Sequence, residues 1–249
     1  IKFNVHYLFA SNFELEIKFH LLYFTISERK ELGDIMPTRL IVSAPATGKT
    51  NASIDEIRAI REKNPLAKIH VIVSDRLQIA YFRRRLSASG GSIGVSVGTF
   101  HHLYTSILEK SGRYVPVVSN ALLHRIIQDV VDKTPLVHYA PLRTQPGFIL
   151  ALKDAFAELK RALIDPNEFI ELSTDTTLAQ QELAQLYAAY QFRLHDMDWA
   201  DFEGLGWLAL AALEKSPDLM KESMQLLVLD GFDSFIGTQI KILHCTPML

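Results

Sequence analysis

A chain of 249 residues suffices for one large domain or for a core with an inserted subdomain, and a hydrophobic fraction of 48% supplies that core and excludes a disordered chain. A net charge of −2 gives no global basicity that would announce a nucleic-acid binder, although a local basic patch stays open. The one cysteine, Cys245, excludes an internal disulfide framework and any multi-cysteine metal centre and fits a reducing, cytoplasmic setting, and no run reaches the roughly 18 apolar residues that span a bilayer.

Residues 1–35 form an N-terminal extension to which no function is assigned. Phe3, Phe9, Phe13, Phe19 and Phe24 recur there between Glu14, Glu16 and Lys18, without the basic start or cleavage site of a signal peptide. Met36-Pro37 stands just ahead of the first apolar strand, so Met36 is a candidate start, with the preceding stretch foreign to the fold. An aromatic-rich element packing on the core is the alternative.

Arg39 to Thr50 organises the rest. Leu40 to Val42 read as a buried strand, Ser43, Ala44, Pro45, Ala46 and Thr47 as a turn of small residues, and Gly48-Lys49-Thr50 as the start of a helix whose apolar face carries Ile54, Ile57 and Ile60. Strand, loop and helix in that order aim backbone N–H groups at phosphate oxygens on the positive end of the helix. Gly48 allows close approach, Lys49 reaches the β- and γ-phosphates, and the Thr50 hydroxyl holds Mg²⁺. The match to G-x-x-x-x-G-K-[ST] is imperfect, since Ser43 stands at the first glycine and Pro45 removes a donor. The competing structural account is a glycine turn followed by a solvated helix start.

The helix should stop near Asn64-Pro65, because Pro65 disfavours helix in the residue before it. Lys68 to Ser74 is β-branched, as a buried parallel strand should be, and a second helix begins near Asp75 with Arg76, Arg83, Arg84 and Arg85. Those arginines fit either a solvated face or contacts to nucleic-acid phosphates. Gly94 to Val97 gives a third short strand leading into Gly98-Thr99-Phe100-His101-His102. Adjacent histidines lack metal-ligand spacing on a helix and have no carboxylate or cysteine cluster beside them, which argues against zinc.

From residue 104 to 221 the pattern is helical, with apolar faces at Leu122 to Val131, at Ile149, Leu152, Phe156, Leu159 and Leu163, and at Leu183, Leu186, Tyr190 and Leu194. Helices without interleaved strands cannot extend a parallel sheet, so this block reads as an insertion between core segments 36–103 and 222–249. Gln225 to Asp230 resumes the sheet and places the Asp230 carboxylate at its carboxyl end, where open α/β folds bind ligands. Asp230 then completes a magnesium site with Thr50. A turn at Asp230-Gly231 is the plain alternative.

These segments, in this order, resemble the N-terminal motor domain of superfamily-one helicases of the UvrD and RecB type, and most closely the AddB subunit of bacterial helicase–nucleases. Ser43 to Thr50 is similar to the family's first motif and Ile69 to Leu86 to the next. Val97-Gly98-Thr99-Phe100-His101 resembles its Gly-Thr-Phe-His segment. Pro146-Gly147-Phe148 with Glu158 to Arg161 resembles the start of the inserted helical subdomain, and Asp201-Phe202 with Leu205 the Asp-Phe-x-x-Leu segment. Asp230-Gly231-Phe232, with Phe235 and Gln239, is similar to the Asp-Gly-Phe version of AddB-like proteins.

The resemblance implies an α/β fold: a RecA-like P-loop NTPase domain with a parallel sheet and an inserted α-helical subdomain. It implies ATP and Mg²⁺ at Ser43 to Thr50 and Asp230, with Lys49 and Asp230 catalytic and Asp233 a partial substitute for a missing group. It also implies single-stranded or duplex-end DNA along Ser74, Arg76, Thr99, Phe100 and His101, a second helicase–nuclease subunit as partner, and no membrane.

Two departures bear on mechanism. Active helicases of this group carry Glu directly after the metal Asp, where it activates water, and here the position is Gly231. Phosphoryl transfer relies on positioning, so turnover should fall by orders of magnitude. The chain also stops soon after Asp230, without the second motor domain or the nuclease domain, so it reads as a fragment of a longer protein. Three readings follow: an ATP-binding piece of a DNA-processing subunit, a catalytically degraded motor-like scaffold that holds DNA or a partner, and a small-molecule kinase. The long helical block before the metal Asp disfavours the kinase.

Overall fold

The computed structural model describes residues 39, 41, 47–90 and 93–246. The strand expected at Leu40 to Val42 and the loop residues Ser43, Ala44, Pro45 and Ala46 lie outside the described residues, apart from Ile41. So do residues 1–35.

Among the described residues three short parallel strands form a sheet: β1 (Ile69–Val73), β2 (Val95–Gly98) and β3 (Leu226–Asp230), in the order β2-β1-β3. Ile69 pairs with Val95 and with Leu226, and Val73 with Asp230. Side chains alternate across the sheet as strand geometry requires. Ile69, Val71 and Val73 pack with Val97 against Ile54 and Ile57 of α1 (Lys49–Lys63) and Phe82 and Leu86 of α2 (Arg76–Ala88). Ile72, Leu227 and Leu229 face the opposite layer, α3 (Phe100–Lys110), α8 (Phe202–Lys215) and α9 (Gly237–Cys245).

The helix ends follow capping chemistry. Asp75 accepts from the N–H groups of Leu77 and Gln78 at 2.8 and 2.9 Å and starts α2. Thr99 N–H donates to His102 Nδ1 at 3.1 Å at the start of α3, so His102 serves its own helix.

A second core belongs to helices alone. Leu123, Ile127 and Val131 of α4 (Asn120–Lys133), Ile149, Leu152 and Phe156 of α5 (Pro146–Arg161), and Leu186, Tyr187, Tyr190 and Leu194 of α7 (Leu178–Asp196) close on one another, with the short α6 (Pro166–Ser173) beside α7. Glu182 of α7 accepts from three successive backbone N–H groups, Val137, His138 and Tyr139, at 2.7, 2.8 and 3.0 Å, pinning the link between α4 and α5.

The helices of the block expected at residues 104–221 divide between two packing clusters. Residues 104–110 of α3, the whole of α8 and the turn Pro217–Ser223 pack in the layer against the sheet, and the separate helical core spans α4 to α7. An amphipathic helix shows the same period whether it covers a sheet or other helices, so periodicity alone does not say which of the two it packs on. Leu163, expected on the α5 face, lies past that helix at φ 59 and packs with the sheet layer. Chain enters and leaves the helical core side by side: Val118 N–H donates to Ala200 O at 2.8 Å and Ala200 N–H to Pro116 O at 3.1 Å.

Candidate nucleotide and nucleic-acid site

Parallel strands deliver their carboxyl ends to one edge, and the helices that follow begin there with N–H groups that have no acceptor within the helix itself. α1 starts behind Gly48, whose φ of 94 lies in the left-handed region that favours glycine. Lys49 and Thr50 are its first two residues. The Thr50 hydroxyl donates to Asp230 Oδ2 at 2.9 Å, joining the start of α1 to the end of β3.

A hydroxyl and a carboxylate at that spacing are hard oxygen donors, the kind Mg²⁺ takes; adjacent oxygens on an octahedral ion with bonds of about 2.1 Å stand about 3.0 Å apart. Among the described residues no group of three His, Cys, Asp or Glu could hold a metal by itself. A cation at Thr50 and Asp230 would therefore complete its shell with water and phosphate oxygens, which suits magnesium carried by a nucleotide.

Gly231 follows Asp230 at φ 79. A Cβ there would stand 3.7 Å from Ser74 Oγ, in ordinary contact, so the limit on a side chain is the backbone rather than space. Asp233 is exposed two residues on. Phe232 and Phe235 turn inward on Phe100, with ring centroids 5.5 and 6.1 Å away.

Of the residues expected to meet DNA, Ser74 and Arg76 are exposed at the end of β1 and the start of α2, and Thr99 and His101 are half-buried at the start of α3. Phe100 does not belong with them. It is 5% exposed and its ring is committed to the core between Phe232, Phe235 and Tyr104, so it offers no face for a base. Arg83 donates to Val97 O at 2.9 Å, and Arg85 to Tyr81 Oη at 2.9 Å and to Asn51 Oδ1, which makes both of them ties within the fold. Arg84 stays exposed near the Tyr81 ring.

Sequence reasoning gave Phe202 no role, yet its ring stacks on His101, with centroids 5.5 Å apart and planes at 20°. It also missed the ion pair behind it. Lys160 Nζ and Tyr190 Oη both donate to Asp201 Oδ2 at 2.7 Å, and Gly204 N–H donates to Oδ1 at 2.6 Å. Burial drives the Lys160 ammonium below its usual pKa, and Asp201 opposes that fall. An aromatic directly after a helix-capping Asp was the available signal for Phe202. Nothing local marks a pair of residues 41 positions apart.

The family model described as ADDB, N-terminal, matches residues 40–245. The chain belongs to the AddB family. It is 24% identical over 225 residues to an ATP-dependent helicase/deoxyribonuclease subunit of Bacillus pumilus (strain SAFR-032), a match that covers 84% of this chain and 19% of that relative. The subunit of the same name from Clostridioides difficile (strain 630) is 22% identical over 223 residues, with the same coverage. That from Moorella thermoacetica is 25% identical over 170 residues, covering 63% of this chain and 15% of the relative. This AddB-family chain thus spans about a fifth of the length of the first two relatives. Among the described residues no helix is long and apolar enough to cross a membrane.

Proposed function

We propose that this chain is the nucleotide-binding N-terminal portion of a DNA helicase–nuclease subunit that acts in the cytoplasm on DNA ends during recombinational repair. The fold is read as RecA-like, with Ser43 to Thr50 as the P-loop. Lys49 meets the phosphates, while Thr50 and Asp230 hold Mg²⁺. The observation that carries this reading is the hydrogen bond from Thr50 to Asp230, which brings a helix-start hydroxyl and a strand-end carboxylate together from 180 positions apart. The names of the relatives, ATP-dependent and acting as helicase/deoxyribonuclease subunits, point the same way. DNA runs along the carboxyl edge of the sheet by Ser74, Arg76, Thr99 and His101, and a second helicase–nuclease subunit is the partner.

A second reading is favoured by Gly231. With no side chain and a left-handed backbone after Asp230, the site has nothing at that position to activate water. On this reading the nucleotide is held without productive hydrolysis, and the domain is a motor-shaped scaffold.

Equilibrium binding of labelled ATP with and without Mg²⁺ tests the first reading. Lys49→Ala should weaken binding roughly tenfold or more by removing a charge-assisted contact. Unchanged affinity would remove the phosphate-loop assignment. Steady-state hydrolysis well below that of a motor, with binding intact, supports the second.

A further inference from the structure

Successive residues of a helix point about 100° apart around its axis. Thr50 turns to Asp230, so Asn51 turns off that line and meets α2, where Arg85 donates through Nη2 to Asn51 Oδ1. The Asn51 amide also lies at the end of the loop that precedes α1, since a Cβ on Gly48 would stand 3.9 Å from Asn51 Nδ2.

Arg85 is held from a second side. Its Nη1 donates to Tyr81 Oη at 2.9 Å, and its guanidinium carbon stands 5.3 Å from the centroid of the Tyr81 ring. An amide and a phenol fix the guanidinium without neutralising it. Among the described residues no carboxylate pairs with Arg85. α2 carries no acidic residue between Arg76 and Ala88, and Asp55, one turn beyond Asn51 on α1, pairs with Arg58 at 3.8 Å. Arg84 adds a second, exposed cation 6.0 Å from the same ring.

A tie between two helices needs no charge, and a half-buried cation without a counter-ion gives up solvation. The fork of a guanidinium matches phosphate oxygens, and the N–H groups of Arg85 not given to Asn51 and Tyr81 remain for such a partner. In the nucleotide pose, Lys49 and the magnesium at Thr50 and Asp230 take the β- and γ-phosphates. The α-phosphate then leaves on the other side of the helix start, the side of Asn51.

We infer that Arg85, held by Asn51 and Tyr81, contacts the α-phosphate of the bound nucleotide, so that this chain reads the nucleoside end of the polyphosphate as well as its terminal end. This rests on the nucleotide site of the proposed function and not on its DNA part.

Calorimetric titration of the full chain with ATP and Mg²⁺, and with the separate Sp and Rp diastereomers of the α- and β-phosphorothioates of ATP, tests it. Arg85→Ala should weaken ATP about tenfold, the loss of a hydrogen bond from a charged donor. It should also change the Sp-to-Rp affinity ratio of the α-phosphorothioate by roughly threefold or more, because sulfur accepts poorly from the guanidinium, and leave the ratio of the β-phosphorothioate alone. A ratio measured on one protein is blind to the fraction that is folded, so a mere tie between α1 and α2 would not move it. Tyr81→Phe, which keeps the ring and removes the acceptor, should shift affinity and the α ratio the same way by less. If the α ratio of Arg85→Ala equals that of wild type, the contact is overturned while ATP binding at Lys49 stands. If wild type binds no ATP, or Lys49→Ala binds it equally well, the nucleotide reading itself falls and takes the contact with it.

Discussion

Thr50 Oγ1 lies 2.9 Å from Asp230 Oδ2, the hydroxyl donating to the carboxylate. Thr50→Val and Asp230→Asn should each weaken the magnesium-dependent part of ATP binding. Because both act through one cation, the double variant should lose less than the sum of the single losses, with a coupling of about 1–2 kcal/mol. Calorimetric titration of the four proteins checks this, and additive losses would separate the two residues.

Gly231 sits where a side chain strains the backbone. Gly231→Glu should cost about 1 kcal/mol of stability, and Gly231→Asn less, since Asn tolerates that region better. Denaturant midpoints decide it. Equal cost for Glu and Asn would mean that the strain does not come from φ.

Lys160 is the buried counter-ion of Asp201. Lys160→Met leaves a carboxylate in the interior with only the Tyr190 hydroxyl and one N–H, and should destabilise by about 3–5 kcal/mol. Lys160→Met with Asp201→Asn should recover much of that loss. Thermal melts that show no recovery would rule out an unpaired charge as the cause.

His70 on β1 makes a 3.2 Å hydrogen bond between its Nε2 and Ser223 O. Burial, with a smaller push from Lys110, lowers its pKa below the ordinary 6.5, although the Ser223 bond opposes the shift. The unfolded chain therefore takes up the proton first. Stability from the neutral ring is whole above about pH 6.5 and is lost as pH falls through the folded value. Melting temperatures from about pH 7.5 down to about pH 5 should fall more steeply for wild type than for His70→Gln; parallel curves would remove His70 as the titrating group.

Three strands were legible because β-branched runs bounded by turn residues leave little choice, and among the described residues they stand where expected, at Ile69–Val73, Val95–Gly98 and Leu226–Asp230. α1 ends at Lys63, just ahead of Asn64-Pro65, as the proline requires. Thr50 and Asp230 were paired in the sequence as two oxygen donors, and the fold brings them within hydrogen-bond reach. A metal ion between them stays with the proposal. Burial was harder to read. Phe100 and Phe202 both stand first in a helix behind a capping residue, yet one is core and the other exposed, a difference set by the partners Phe232 and Phe235 far along the chain. Likewise Arg83 and Arg85 look like free cations in the sequence, and only the fold supplies Val97 O and Asn51 as their acceptors.

Pro116 to Val118 and Ala200 run side by side where the helical core is attached. Departure and return at one point make this core a modular appendage: evolution can lengthen, shorten or exchange it without redirecting the polypeptide on either side. The joint carries one obligation. Any replacement must bring its own cation to Asp201, or the sheet-bearing body inherits an orphan charge at its rim.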